Sequence, residues 1–342
     1  MPENKDQLDY SREIKLLSGN PPERIYILYG PEDYLKNLYF ERLEHCVIPD
    51  GDDGFSCHRF SGTDVPFEHI SDAVNSMPFL SERILIELKE FDVNKYKDAE
   101  KLLSLFSDIP DYCTVVIKLP PETSPDNRLK LTKLIKDKGR ILNFTSQNSG
   151  ALTRWIQKRF SAFGKKISEE NAQRLAFISG DIMSGLIPEI EKVAAYSTDE
   201  VITAFDIDTA AHHIPEAVVF DLMDAISEKN SEKAAGILTE LLSSKESEPI
   251  AILALLQTQL KRLYLASIAR EKGYGEKFLI DTGAARFDSH ARKLLYSAKG
   301  FKAEALKNSI ARCADADFMM KSSSEEPEKI LIDTVMIIAG TC

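Results

Sequence analysis

The stretch "IYILYGPEDYLKN", Ile25 to Asn37, decides the fold. An apolar run without polar alternation meets a glycine, and a helical pattern follows at once. Strand, glycine turn and helix are the parts of a phosphate-binding loop, whose template is G-x-x-x-x-G-K-[ST]. Set on Gly30, the template puts Leu35 at its second glycine, Lys36 at its lysine and Asn37 at its hydroxyl. Leu35 lacks the backbone freedom that lets glycine wrap a phosphate, and its side chain suits packing under the turn. Asn37 is a poorer magnesium ligand than a hydroxyl. Lys36 reads first as a surface lysine of the helix, with a phosphate contact as the alternative. Pro31 fits a first helical turn, and Glu32 and Asp33 complement a helix N-terminus.

Outward from this turn, the chain alternates strand and helix up to about residue 145. Strand patterns cover 24–30, 55–60, 83–91, 113–120 and 139–145. Helical patterns cover 31–47, 66–77, 95–109 and the lysine-rich stretch 128–140. About five strands joined by helices predict right-handed crossovers and a mostly parallel sheet. From 149 onward the period is helical almost throughout. Segments 149–164, 167–180 and 181–197 predict a small three-helix domain. Ser168 is its best N-cap, Gly180 is a C-terminal stop, and Pro188 marks a break or a true start. Residues 203–217 read as a bridge, and long amphipathic helices follow from Val218. The apolar run Ile250 to Leu256 predicts a helix buried on most sides. The expected layout is a polar segment 1–20, an α/β domain 21–147, a small helical domain 148–214 and an all-helical domain 215–342.

The chain has 342 residues, 43% hydrophobic and 28% charged, which suits sizeable cores. A net charge of −11 argues against a protein that coats nucleic acid, because phosphate neutralisation needs a dominant basic surface. No run reaches the ~18 apolar residues of a membrane span. The polar start has no apolar core of a secretory signal, so the expected location is cytoplasmic. The five cysteines include no C-x-x-C pair, and His212-His213 lacks a metal-binding frame, so no metal is expected. Trp155 is expected to anchor a core.

Nucleotide hydrolysis needs more than the loop. An apolar strand ending in acids must hold magnesium and poise water. The strand "RILIELKEFD" holds Glu87 inside it and is followed by no Asp-Glu pair, and "TVVIKLPP" ends in Lys118 and prolines. AAA+ proteins also carry an arginine in a G-D-h-R context of their small helical domain. Here Gly180, Asp181 and Ile182 fit, and Met183 stands at the arginine. The three losses agree and argue against ATP hydrolysis and against any cofactor.

With these residues, "SGALTRWIQKRFSAFGKKIS", "LAFISGDIMSGLIPEIEKVAAY" and "ILALLQTQLKRLYLA", taken in order, the chain resembles the delta-subunit family of the bacterial DNA polymerase III clamp loader over roughly residues 20–340. The resemblance implies an α/β plus all-α chain: a degenerate AAA+ domain with a RecA-like parallel sheet, a three-helix lid and a C-terminal helical collar. It implies a non-catalytic subunit that opens the sliding clamp during DNA replication. Implied partners are the clamp (beta), the gamma/tau and delta-prime loader subunits through the collar, and primer-template DNA; no membrane is implied.

The stretch "NSMPFLSER", 75–83, would carry that task. Met77, Phe79 and Leu80 are apolar, and Pro78 stops the preceding helix. The residues alone leave open whether Phe79 and Leu80 project as a docking plug or fold back into the core. The family's clamp-binding peptides resemble Q-x-[LM]-x-[LF]-[LF]. Asn75 stands at the glutamine, Met77 matches, and Phe79-Leu80 form the apolar pair, so the resemblance implies a wedge of Asn75, Met77, Phe79 and Leu80. Burial of both members of the pair would supply on the order of 3–6 kcal/mol. Three alternatives stand beside this reading: an active P-loop NTPase with a variant loop, a helical scaffold that binds no clamp, and delta-prime. The last would carry a zinc-binding cysteine cluster and a Ser-Arg-Cys finger, and "IARCAD" at 310–315 lies in the wrong region for one.

Overall fold

The computed structural model describes residues 10–51, 54–79, 81–243 and 248–341. They form two compact units. One holds the chain up to Ser146 together with Ile182–Ser184, and the other holds Gln147–Asp181 and the chain from Gly185 onward.

The first unit runs α1 (Tyr10–Gly19), β1 (Ile25–Tyr29), α2 (Asp33–Val47), β2 (Cys57–Ser61), α3 (Phe67–Asn75), β3 (Ile84–Lys89), α4 (Ala99–Ser107), β4 (Cys113–Lys118), α5 (Lys130–Lys138) and β5 (Arg140–Asn143). The strands form one sheet in the order β2-β3-β4-β1-β5, and every pairing is parallel. The expected α/β sheet is therefore present with five strands. β1 and the centre of β4, residues 115–117, read as apolar runs because helices cover both faces of a parallel sheet. Alternate residues of β1 serve the two faces. Ile25 and Ile27 join a core with Ile86, Val115 and Phe106. Tyr26 turns the other way, against Tyr39 of α2, whose ring also meets Phe144. α1 accounts for the second half of the polar N-terminal segment; its Glu13 pairs with Arg140 at 2.7 Å.

β1 lies between β4 and β5; the connection after β1 runs to β2 at one edge of the sheet, and the connection after its neighbour β4 runs to β5 at the other. Such a switch point opens a crevice at the carboxyl ends of the strands, where α/β proteins bind ligands. The Gly30 turn stands there.

The second unit runs α6 (Ser149–Ala162), β6 (Lys166–Ile167), α7 (Glu169–Ser179), α8 (Met183–Tyr196, whose first two residues belong to the first unit), β7 (Val201–Ile202), α9 (Ala204–Ala210), α10 (Pro215–Ser227), α11 (Ser231–Ser243), α12 (Pro249–Glu271), α13 (Glu276–Asp281), α14 (Asp288–Ser297), α15 (Ala303–Ser322) and α16 (Pro327–Thr341). Leu253, Leu256, Leu260 and Leu263 run along the buried face of α12 into the core of this unit.

Several expectations need correction here. α8 runs through Pro188, which stands inside the helix and forgoes one i→i−4 hydrogen bond there. Ile250 is exposed and Ile252 buried, so α12 buries one face at its start. Trp155 is half-buried, with the Arg159 guanidinium 5.7 Å from the centre of its ring. The bridge at 203–217 contains α9, started by a capping box in which Thr203 and Asp206 satisfy each other's backbone N–H. β6 and β7 pair over two residues each, too short to leave a period. Ser168 does cap α7 by accepting from the Asn171 N–H.

Candidate functional site

Gly30 makes the turn from β1 into α2 at φ +107°, a region that disfavours side chains. A Cβ there would lie 2.5 Å from the Phe144 carbonyl oxygen. That same oxygen accepts from the Glu32 N–H at 3.0 Å, so the turn is closed by protein backbone. Leu35 is buried, as its apolar character required. Lys36 departs from the expectation of a surface lysine. Its side chain is 4% exposed and its ammonium meets Asp33 at 2.6 Å.

Glu32 is fully buried. The Met183 N–H, at the start of α8, donates toward its carboxylate at 3.3 Å to each oxygen. Burial raises the Glu32 carboxyl to about 7, and the Met183 hydrogen bond opposes the rise. The segment "GDIM" thus meets an acid of the protein itself, and it does so through a backbone N–H.

The strand ends beside this turn carry a second closed circuit. Glu87 of β3 meets the Lys118 ammonium of β4 at 2.7 Å. Lys118 also donates to Asn37 Oδ1 at 3.3 Å and lies 3.8 Å from the centre of the Phe40 ring. Burial lowers the Lys118 pKa, and its hydrogen bond to Glu87 works against that. Arg59 of β2 reaches Glu87 at 3.5 Å and also pairs with Glu44. The residue at the hydroxyl position of the loop and the acid inside β3 are therefore both satisfied by one lysine. The charge that a metal-bound phosphate would balance is balanced by the chain.

The second group of expected residues lies between α3 and β3. Asn75 ends α3, and its side-chain amide donates to the Ser71 carbonyl at 2.8 Å. Met77 is 82% exposed and Phe79 is 80% exposed. Leu80 lies outside the described residues. The loop base is tied to the sheet. Ser81 Oγ contacts Ser56 Oγ at 2.6 Å, and Ser76 Oγ lies 3.4 Å from His58 Nε2. Ser56 in turn accepts from the Leu85 N–H at 2.9 Å. Phe55, read from sequence as the start of a strand, precedes β2 and is 64% exposed. Its ring meets Phe79 edge-on at 6.5 Å. The only sequence signal for it was its aromatic character.

In the other unit, a cavity of about 650 Å³ takes in His213, His290, Arg174, Arg292 and Lys293. Arg174 is held by Asp208 and Lys293 by Asp221, so its charges are largely paired within the protein. Elsewhere in this unit Arg262 pairs with Glu216 at 2.5 Å, Arg286 pairs with Asp181, and Lys261 donates to Gln257 at 3.2 Å. Among the described residues, no cluster of His, Cys, Asp or Glu is arranged to hold a metal ion, and no helix is long and apolar enough to cross a membrane.

Residues 26–145 match the family model described as DNA polymerase III, delta subunit. Residues 216–337 match the model for the C-terminal domain of that subunit. The DNA polymerase III subunit delta of Bacillus subtilis (strain 168) is 26% identical over 328 residues, 93% of each chain. A solved structure of the Bacillus subtilis DNA clamp loader delta protein shares the fold. It superimposes with a TM-score of 0.51 at 23% identity, covering 97% of this chain and 99% of that one.

Proposed function

Because this chain belongs to the DNA polymerase III delta-subunit family and is a clamp-loader component, we propose that it binds the sliding clamp through the tip after α3 and opens the ring. The observation that carries this is the exposure of Met77 and Phe79 on a loop fastened at its base. Large apolar side chains exposed to water above a hydrogen-bonded base favour a partner with an apolar pocket. Burying such a pair contributes on the order of 3–6 kcal/mol. A tip that fits a clamp conformation incompatible with the closed ring would shift the ring toward opening, because a ligand moves an equilibrium by its differential affinity.

Asn75 has a local role in this reading: its amide caps the end of α3, and Met77 and Phe79 make the contact. The Glu87–Lys118 and Lys36–Asp33 pairs support a chain that neither binds nor hydrolyses ATP. The helices from α10 onward would join the other loader subunits, and the assembled loader would receive primer-template DNA. The deciding experiment is titration of the chain onto purified sliding clamp, with Met77 and Phe79 replaced by alanine. Loss of binding with an unchanged fold supports the reading; unchanged binding overturns it.

A further inference from the structure

We infer that the docking surface is composite, and that Phe55, ahead of β2, is its second aromatic contact and fixes the position of Phe79. This deepens the clamp reading above and rests on it. Phe55 and Phe79 come from different connections of the sheet, and both rings stand in water. They meet edge-on at 6.5 Å with planes at 68°, the geometry aromatic pairs prefer. A folded chain gains little by exposing two phenylalanines side by side, whereas an interface gains from a cluster of aromatic anchors.

The two connections are joined below the rings. Ser56, next to Phe55, is bonded through its hydroxyl to Ser81 and through its carbonyl to the Leu85 N–H. Ser81 also donates to the Arg83 carbonyl at 2.6 Å. Phe55 and Phe79 are thus carried on one hydrogen-bonded base at the start of β3. A ring held by a neighbour also loses less rotamer freedom on binding than a free one. The occupant is the same apolar pocket of the clamp that receives Met77 and Phe79, since Phe55 continues that surface.

The test is titration of the full chain onto immobilised sliding clamp, with thermal unfolding of each variant as the fold readout. Phe55→Ala is expected to weaken binding about tenfold, and Phe79→Ala about a hundredfold. The double variant is expected within about threefold of Phe79→Ala, because the two rings act as a unit. Phe55→Glu places a charge against an apolar pocket and is expected to lose at least about fiftyfold. Native affinity in Phe55→Ala and Phe55→Glu, beside lost affinity in Phe79→Ala, overturns the inference and leaves the clamp reading standing. Native affinity in Phe79→Ala overturns both.

Discussion

The turn at Gly30 and the tip at Met77 and Phe79 belong to the same α/β unit and treat water in opposite ways. At the turn, charged groups are taken out of water and satisfied by the chain: Glu32 by the Met183 N–H, Lys36 by Asp33, Lys118 by Glu87 and Asn37. At the tip, apolar groups are left in water on a tied base. A buried charge that already has its partner gives a ligand little to bind. An exposed apolar cluster gives a partner a great deal. Placed side by side, the two regions contrast a turn whose polar groups are satisfied within the chain with an exposed apolar tip, the surface proposed above for recognition.

The largest expected effect comes from breaking the turn. Gly30→Ala forces a side chain into left-handed backbone and against the Phe144 carbonyl, and should cost about 4 kcal/mol in urea unfolding. Next is Lys118→Met, which removes the nearer cation from Glu87 and leaves the more distant Arg59. It should cost about 3 kcal/mol by the same measurement while leaving clamp affinity within about twofold. If Lys118→Met weakened clamp binding as much as it weakened the fold, the contrast between the two regions would fail.

The tip should answer in the reverse sense. Met77→Ala with Phe79→Ala should reduce clamp affinity at least about a hundredfold in surface binding, with a melting temperature within about 2 °C of the parent. A smaller effect belongs to Glu32. Its folded pKa of about 7 stands above its ordinary value, so between those values the folded state holds more of the proton than the unfolded state does. Stability then falls as pH rises through that window and levels off above about 7. Glu32→Gln should remove this slope and raise stability at pH 8 by on the order of 2 kcal/mol, seen in denaturant unfolding at pH 5 and pH 8. The smallest expected effect is that of Mg-ATP. At about 1 mM it should move the melting temperature by less than about 1 °C, because nothing is stabilised without binding. A clear upward shift would reopen the turn as a nucleotide site.

The sheet was legible because its signal is local and repeated. Each strand is an apolar run and each helix a stripe, so five strands and their connecting helices could be read in order. The short pieces were lost for the same reason: β6 and β7 have two residues each, and α9 hid in a stretch taken as a bridge. The defects of the loop at Leu35 and Asn37 were plain, and so was the missing arginine at Met183. Phe55 could not be seen, since its partner Phe79 lies in another connection and their meeting depends on the β2–β3 pairing. Lys36 was misjudged because a helical period says which face a residue occupies, and only packing says what covers that face.

By itself, then, the sequence determined the alternation of strand and helix, the change to helices after residue 149, and the absence of a complete phosphate-binding set. Those are properties of residue type and spacing along the chain. The tertiary structure decided that Lys118 reaches Glu87 and Asn37, that Met183 meets Glu32, and that Phe55 stands against Phe79. Each of these joins residues far apart in sequence, brought together by the order of the strands and by the way chain segments pack. Burial and charge pairing are set by such neighbours, and no local pattern encodes them.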